Sequence, residues 1–122
     1  MGGGDRTGQL RLLKKGVDHC PFSDGLHNSY AYLLATSPDE TDRDGPEALR
    51  IAKRVTDEAS QPRPDFLDTL AAAYAEVGDF ANAVRVQKQV MHLIEDTGDA
   101  ERIENARNHL AQFEAGRPLR GN

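Results

Sequence analysis

The sequence predicts an all-α protein, and three observations carry this prediction. Apolar residues recur at steps of three and four through most of the 122 residues, which is the spacing of one face of an α-helix. The chain holds 15 alanines, a residue that favours helices and lets them pack closely. The period-two alternation of a β-strand is found nowhere in the sequence. We therefore expect six helices joined by turns and loops.

Composition and charge exclude several classes of function. The net charge of −5 and the isoelectric point of about 5.3 argue against binding to DNA or RNA, whose phosphates attract basic surfaces. No apolar stretch approaches the roughly 20 residues of a membrane helix, and the N-terminus lacks the apolar core of a secretory signal. The single cysteine, Cys20, excludes an internal disulfide and fits a reducing compartment. We expect a cytoplasmic protein.

Residues 64–97 predict two antiparallel helices. Pro64 suits the first position of a helix, where its missing N–H leaves nothing unpaired. Gly78 supplies a helix end and Asp79 an N-cap for the second helix, which ends before Gly98. Because the turn has two residues, the helices must lie side by side in opposite directions. The apolar face of the first helix is formed by Phe66, Leu67, Leu70, Ala71, Tyr74 and Val77.

Residues 25–60 repeat this design with a longer turn. The first helix of this pair ends before the polar loop Ser37–Asp44. Asp44 and Glu47 then predict a capping box, in which Asp44 caps the second helix and the Glu47 side chain reaches back to the Asp44 N–H. The buried stripe of the second helix is predicted to be Ala48, Leu49, Ala52 and Val55.

Single helices are predicted at both ends of the chain. Leu10, Leu13 and Val17 form the apolar face of the first, and the last begins at the N-cap Asp99 and ends at Gly116. The predicted organisation is therefore a flexible tail (1–6), one helix (7–20), two helix pairs (25–60 and 64–97), a last helix (99–115) and a second flexible tail (116–122).

The second helix pair resembles the tetratricopeptide repeat. The residues that carry this resemblance are Leu67-x2-Leu70-Ala71-x2-Tyr74 and then Ala83, against the family pattern W-x2-L-G-x2-Y and then A-x3-F. The first pair aligns as His27-x2-Tyr30-Ala31-x2-Leu34 and then Ala48-x3-Ala52. Ala31 lies 40 residues before Ala71, whereas the family period is 34, and five of the six extra residues fall in the Ser37–Asp44 loop.

The resemblance covers roughly residues 7–115 and implies an α-solenoid, as at the C-terminal end of a bacterial tetratricopeptide array. Residues 7–20 correspond to half a repeat, 25–60 and 64–97 to two whole repeats, and 99–115 to a capping helix. A single helix pair cannot bury its apolar face, so such an array is stabilised by stacking neighbouring pairs.

The function that the resemblance implies is protein–protein interaction without catalysis. Members of the family bind peptides in a concave groove lined by the first helix of each repeat. Carried over by position, the groove residues are Asn28, Tyr32, Ala35, Asp65, Asp68, Ala72, Ala75 and Glu76. An acidic groove with a tyrosine suits an extended or helical segment that carries Lys or Arg. The alternative is that these are ordinary solvated residues.

A second hypothesis places the function at the N-terminal helix. As half a repeat it lacks a partner helix, so part of Leu10, Leu13 or Val17 should be poorly covered. Such an apolar face suggests self-association, a covering partner or a missing upstream stretch, and the second hypothesis takes it to mediate homodimerisation.

The sequence predicts no enzyme, no cofactor and no metal site. It contains none of the nucleophile, phosphate-binding or zinc motifs. The one local cluster of ligand types, Asp18-His19-Cys20, consists of consecutive residues that point in different directions on a helix. The acidic stretch Asp39–Asp44 lacks the glycine and glutamate of a calcium loop and is predicted to be a solvated turn.

Overall fold

The computed structural model describes the backbone of residues 2–120 and the side chains of residues 7–120. Within this range the fold is all-α, as predicted, and no strand is present. A short 3-10 turn, Glu40–Asp42, interrupts the loop between the second and third helices. The six helices are α1 (Gly2–His19), α2 (Asp24–Thr36), α3 (Gly45–Glu58), α4 (Pro64–Glu76), α5 (Phe80–Ile94) and α6 (Ala100–Glu114).

The helices form two antiparallel pairs, α2 with α3 and α4 with α5. The pairs stack on each other because α4 packs against both α2 and α3. α1 covers the α2 end of this stack, and α6 packs on α5 at the other end. In the described part of the chain, no helix combines the length and the apolar character that crossing a bilayer requires.

Alanines fill the places where the helices approach one another. The alanines of the repeat-like motifs, one on each of α2, α3, α4 and α5, are completely buried. A methyl group lets two backbones come close together, and larger residues fill the wider gaps between the pairs. The four alanines are Ala31, Ala48, Ala71 and Ala83, and the larger buried residues include Leu34, Val55 and Val90.

Three aspartates begin the helices that the sequence predicted they would cap. Asp44, Asp79 and Asp99 each accept a hydrogen bond from the backbone N–H three residues later, at 3.1 to 3.2 Å. Each bond satisfies a donor that has no partner inside the helix. At the other end of α4, Gly78 has φ of +86°. The Asp79 N–H then donates to the Tyr74 carbonyl, which completes a Schellman turn.

The capping box at α3 is half formed, which corrects one prediction. The Glu47 carboxylate does not reach back; it accepts hydrogen bonds from Arg50 at 2.6 and 2.8 Å. These charged donors outcompete a neutral backbone N–H and lower the pKa of Glu47. The Asp44 N–H instead donates to the Leu34 carbonyl at 2.9 Å, which joins the loop to the end of α2.

The chain ends differ from the predicted tails. α1 begins at Gly2, within the expected tail 1–6, because extending an existing helix adds one hydrogen bond per residue and offsets the low helix propensity of glycine. At the other end, Gly116 has φ of +73° and the Arg117 N–H donates to the Gln112 carbonyl. This Schellman turn reverses the chain, so that Leu119, expected in the tail 116–122, is 4% exposed.

The N-terminal helix is covered on the face that was expected to be open. Leu10 and Val17 are each 8% exposed and Leu13 is half-buried, because α2 follows after a short turn and packs against α1. Leu10 and Val17 of the predicted dimer face are therefore internal packing, whereas Leu13 stays partly exposed. Among the described side chains of α1, Leu12 is the large apolar one that is exposed, at 70%.

The first prediction concerns the packing of α6. Phe113 is 1% exposed, so Phe113→Ala should lower the free energy of unfolding by about 3–5 kcal/mol, through lost burial and the cavity left behind. Phe22 is 95% exposed, and Phe22→Ala should change it by less than about 0.5 kcal/mol. Urea unfolding of both variants beside the wild type measures the difference. Equal losses of unfolding free energy in the two variants would contradict the burial of Phe113 in the packing of α6.

The second prediction concerns pH. The side-chain amide and backbone N–H of Asn82 donate to Asp79 and hold the pKa of this carboxyl below its ordinary value of 3.8. This contribution to stability is complete above the unfolded pKa and is lost as the pH falls through the lower folded pKa. Between about pH 6 and about pH 3, wild type should therefore lose more melting temperature than Asp79→Asn, which keeps a capping oxygen but does not titrate. An identical fall in melting temperature for the two proteins would show that Asp79 does not contribute to the loss of stability in acid.

Candidate binding groove

Two hollows on the surface meet at α2 and α4. The first, of about 500 Å³, lies between α4 and α6 and is called here the α6-side hollow. The second, of about 660 Å³, lies between α1, α2 and α4 and is called the α1-side hollow. Tyr32, Asp65 and Asp68 border both hollows. The two adjacent hollows, which lie between α1 and α6, are together called the groove.

The two aspartates at the centre of the groove come from the first two turns of α4. Asp65 lies in the first turn, where a carboxylate is favoured by the helix dipole. Its Oδ1 accepts from the Phe66 N–H at 3.1 Å, and its Oδ2 is 3.0 Å from the Arg63 guanidinium. Asp68 lies 3.4 Å from His109 Nδ1, across the α6-side hollow. Both carboxylates remain partly exposed to the groove.

The α1-side hollow has an apolar wall and a buried polar atom. Leu12 and Leu13 of α1 and Leu33 of α2 form the wall. Asn28 also lines this hollow, and its Oδ1 is buried without a hydrogen-bond partner among the residues that the structure describes. An unsatisfied buried acceptor lowers the stability of the fold.

The structure brings together four of the predicted groove residues and separates the others. Asn28, Tyr32, Asp65 and Asp68 lie around the groove. The predicted alanines are buried in the hydrophobic core, so they offer no surface to a partner. These three are Ala35, Ala72 and Ala75, at 0 to 2% exposed.

Glu76 is engaged within the fold. Its Oε2 is 3.2 Å from Arg43 Nε and its Oε1 is 2.7 Å from Arg120 Nη1. Arg43 also donates to the Ser37 and Pro38 carbonyls at 2.8 and 3.1 Å. Glu76 therefore joins the α2–α3 loop, the end of α4 and the C-terminal segment. The loop, predicted to be a solvated turn, is anchored at this point.

Sequence reasoning missed the contributions of the two outer helices. The α6-side hollow is also lined by Arg102, Asn105 and His109, and the α1-side hollow by Gln9 and Leu12. The spacing of the three α6 residues, at steps of three and four, places them on one helix face and could have revealed a polar stripe. No comparable sequence signal places Leu12 at the groove, because its position depends on how α1 packs.

The groove offers groups for binding cations and apolar side chains. The α1-side hollow combines two carboxylates, a tyrosine and a leucine wall, which suit a ligand with an apolar part beside a positive charge, whereas Arg102 and His109 line the α6-side hollow. In the part of the chain with described side chains, no three His, Cys, Asp or Glu residues are placed to hold a metal ion. Cys20, in the cluster noted in the sequence, is exposed just after α1.

Comparison of the chain with protein-family models, with curated proteins and with solved structures gives no match. The tetratricopeptide resemblance therefore stays a prediction from the motifs quoted above.

The third prediction concerns Glu76. Glu76→Gln removes the charge that holds Arg43 and Arg120, and should lower the free energy of unfolding by about 1–3 kcal/mol. The matched control is Glu95→Gln, whose side chain is 55% exposed and lies 3.3 Å from His92. Its expected change is below about 0.5 kcal/mol. Chemical denaturation of both variants tests this. An unchanged free energy of unfolding in Glu76→Gln would show that the ion pairs of Glu76 with Arg43 and Arg120 do not stabilise the fold.

Proposed function

We propose that the chain is a non-catalytic interaction module, a short tetratricopeptide-like array that binds a basic segment of a partner protein in the groove. One observation carries this proposal: Asp65, Asp68 and Tyr32 border both hollows, so the same two carboxylates are available to a ligand in either hollow. Binding sites for peptides are commonly grooves in which a few charged groups fix the orientation and apolar walls supply affinity.

The charge of the groove favours a Lys or Arg side chain. Asp65 and Asp68 lie three residues apart on α4 and share one face, and the chain as a whole carries a net charge of −5. In the ion pair of Asp65 with Arg63, each of the two side chains is about half exposed. Exposed pairs contribute little stability, so a cation from a partner can replace Arg63 at low cost.

The α1-side hollow favours an apolar side chain next to that cation. Leu12 is 70% exposed and stands beside Leu13 and Leu33 in the wall of the hollow. Covering this surface would contribute hydrophobic stabilisation on binding. The ligand is therefore expected to present an apolar residue and a basic residue side by side.

The second candidate function is self-association. The face first predicted for it is covered by α2, but Leu12 and Phe22 leave apolar surface exposed. In this case the exposed side of α1 would be the contact between copies, and no basic partner would be needed.

The fourth prediction tests the groove with a matched pair of charge reversals. Fluorescent peptides carrying leucine beside arginine or lysine should bind the wild type. Asp68→Arg should lower their affinity at least about tenfold, because it replaces electrostatic attraction with repulsion. Asp96→Arg makes the same change at an exposed carboxylate outside the groove and should bind like the wild type. Binding should also weaken as ionic strength rises.

Two results would contradict the proposal. Equal affinity of Asp68→Arg and Asp96→Arg would show that the groove carboxylate takes no part. Absence of peptide binding together with a concentration-dependent molar mass by light scattering, lost in Leu12→Ser, would favour self-association.

A further inference from the structure

The α6-side hollow carries opposite charges on the two helices that flank it. Asp65 and Asp68 line it from α4, and Arg102 and Asn105 line it from α6. Buried apolar residues, each 1 to 5% exposed, also line this hollow: Val90, Ile94 and Ala106. Charges beside an apolar surface are less screened by water than charges on an open helix.

Arg102 is the cation of this hollow that lacks a partner within the described chain. Asp65 and Asp68 line the same hollow, but Arg102 forms no ion pair with either of them, because each carboxylate has a nearer partner. Among the residues whose side chains the structure describes, the Asn105 amide and the Arg102 guanidinium also have no hydrogen-bond acceptor. The five N–H donors of the guanidinium are therefore available to a ligand in the hollow.

The position of Arg102 relative to the aspartates follows from the direction of the helices. α5 returns along α4 and α6 returns along α5, so α6 runs in the same direction as α4. Asp68 faces His109 at 3.4 Å. Arg102 precedes His109 by about 10 Å along α6, and Asp65 precedes Asp68 by about 4.5 Å along α4. Along the helix direction, Arg102 therefore lies beyond Asp65 by roughly 6 Å.

An axial separation of this size matches neighbouring residues of an extended segment. Such a segment rises about 3.3 Å per residue, and successive side chains point to opposite sides. Between α4 and α6, one side chain would point towards Asp65 and Asp68 and the next towards Arg102. The first position suits a cation and the second a carboxylate, to which the Asn105 amide can also donate.

The same arrangement disfavours segments of uniform charge. A second basic residue would meet Arg102, and a second acidic residue would meet Asp65 and Asp68. Like charges placed together lower affinity, and such repulsion is a common source of specificity between partners. A pair of opposite charges is the ligand that meets neither repulsion.

We propose that the α6-side hollow binds a charge pair, so that the partner segment carries an acidic residue next to its basic residue, with the cation at Asp65 and Asp68 and the carboxylate at Arg102. This inference rests on the proposed function, since it concerns the segment that binds the groove. It adds a second charge of opposite sign to that ligand and makes Arg102 a residue that determines specificity.

The fifth prediction compares fluorescent peptides with blocked ends and the full chain. GSLREGS should bind the wild type about two- to fivefold more tightly than GSLRQGS, because its glutamate gains a charge pair with Arg102. The reversed peptides GSERLGS and GSQRLGS test the other chain direction, and the preference is expected in one of the two. General attraction to a chain of net charge −5 predicts the opposite order, since the glutamine peptides are more positive.

Two matched variants assign this preference to one residue. Arg102→Gln should remove the preference for glutamate. Arg107→Gln makes the same change on the same helix, at a side chain that is 61% exposed, pairs with Glu104 and lines neither hollow, and it should keep the preference. Equal affinity of the wild type for glutamate and glutamine peptides in both directions would overturn the inference. A preference that persists in Arg102→Gln would overturn it as well.

A measurement on the unaltered chain keeps the test valid if Arg102→Gln is misfolded by circular dichroism. In a ¹⁵N NMR titration of the wild type, the Nε–Hε signal of Arg102 should shift more with the glutamate peptide than with the matching glutamine peptide. Equal shifts with the two peptides would overturn the inference.

Failure of this inference and failure of the proposed function give different results. Peptides that bind through Asp68 without preferring glutamate would leave the proposed groove function standing and reject the charge pair. A preference for glutamate that depends on Arg102 but not on Asp68 would also reject the pair, because the cation would then bind elsewhere. Absence of binding by every peptide would reject the proposed function and this inference with it.

Discussion

The close approach of helices through alanine is the constraint on which the rest of this structure depends. The chain has few large apolar residues, so its helices gain stability by packing backbone near backbone, with methyl groups between them. The completely buried alanines of α2 to α5 lie at these contacts. A larger side chain at such a position would separate the helices and open voids around its neighbours. The stacking of the two helix pairs, and therefore the spacing of α2 and α4, follows from this requirement.

The groove is a consequence of unequal helix spacing. α2 and α4 touch, whereas α6 packs on α5 and leaves a hollow beside α4. Where α2 and α4 meet, the small residues predicted to line the groove become core, and at the borders the longer polar side chains remain accessible. Asp65 and Asp68 belong to the second group because they lie near the start of α4, on the border with both hollows. The same packing thus gives the fold its stability and gives the groove its acidic centre.

Ion pairs determine which parts of the α4 face, the side of α4 that carries Asp65 and Glu76, stay accessible. Glu76, Arg43 and Arg120 join a loop, a helix end and the C-terminal segment through charged hydrogen bonds between partly buried groups. Such bonds are stronger than exposed pairs, because the charges are less screened by water. They close one end of the α4 face, while the exposed Arg63–Asp65 pair leaves the other end accessible. The end of α4 at Glu76 is therefore covered, and the end at Asp65 is accessible.

The sequence by itself determined the helices, their order and most of their ends. Periodicity, capping aspartates and glycines act over a few residues, so Asp79, Asp99 and Gly78 could be assigned without knowing any distant contact. Only the tertiary structure decided which residues face the groove, because burial depends on neighbours that are far away in the chain. Ala72 and Glu76 share a helix face with Asp68, yet Ala72 is buried in the core and Glu76 pairs with Arg43 and Arg120. Leu12 became a groove residue for the same reason, since α2 covers Leu10 and Val17 and leaves the opposite side of α1 exposed.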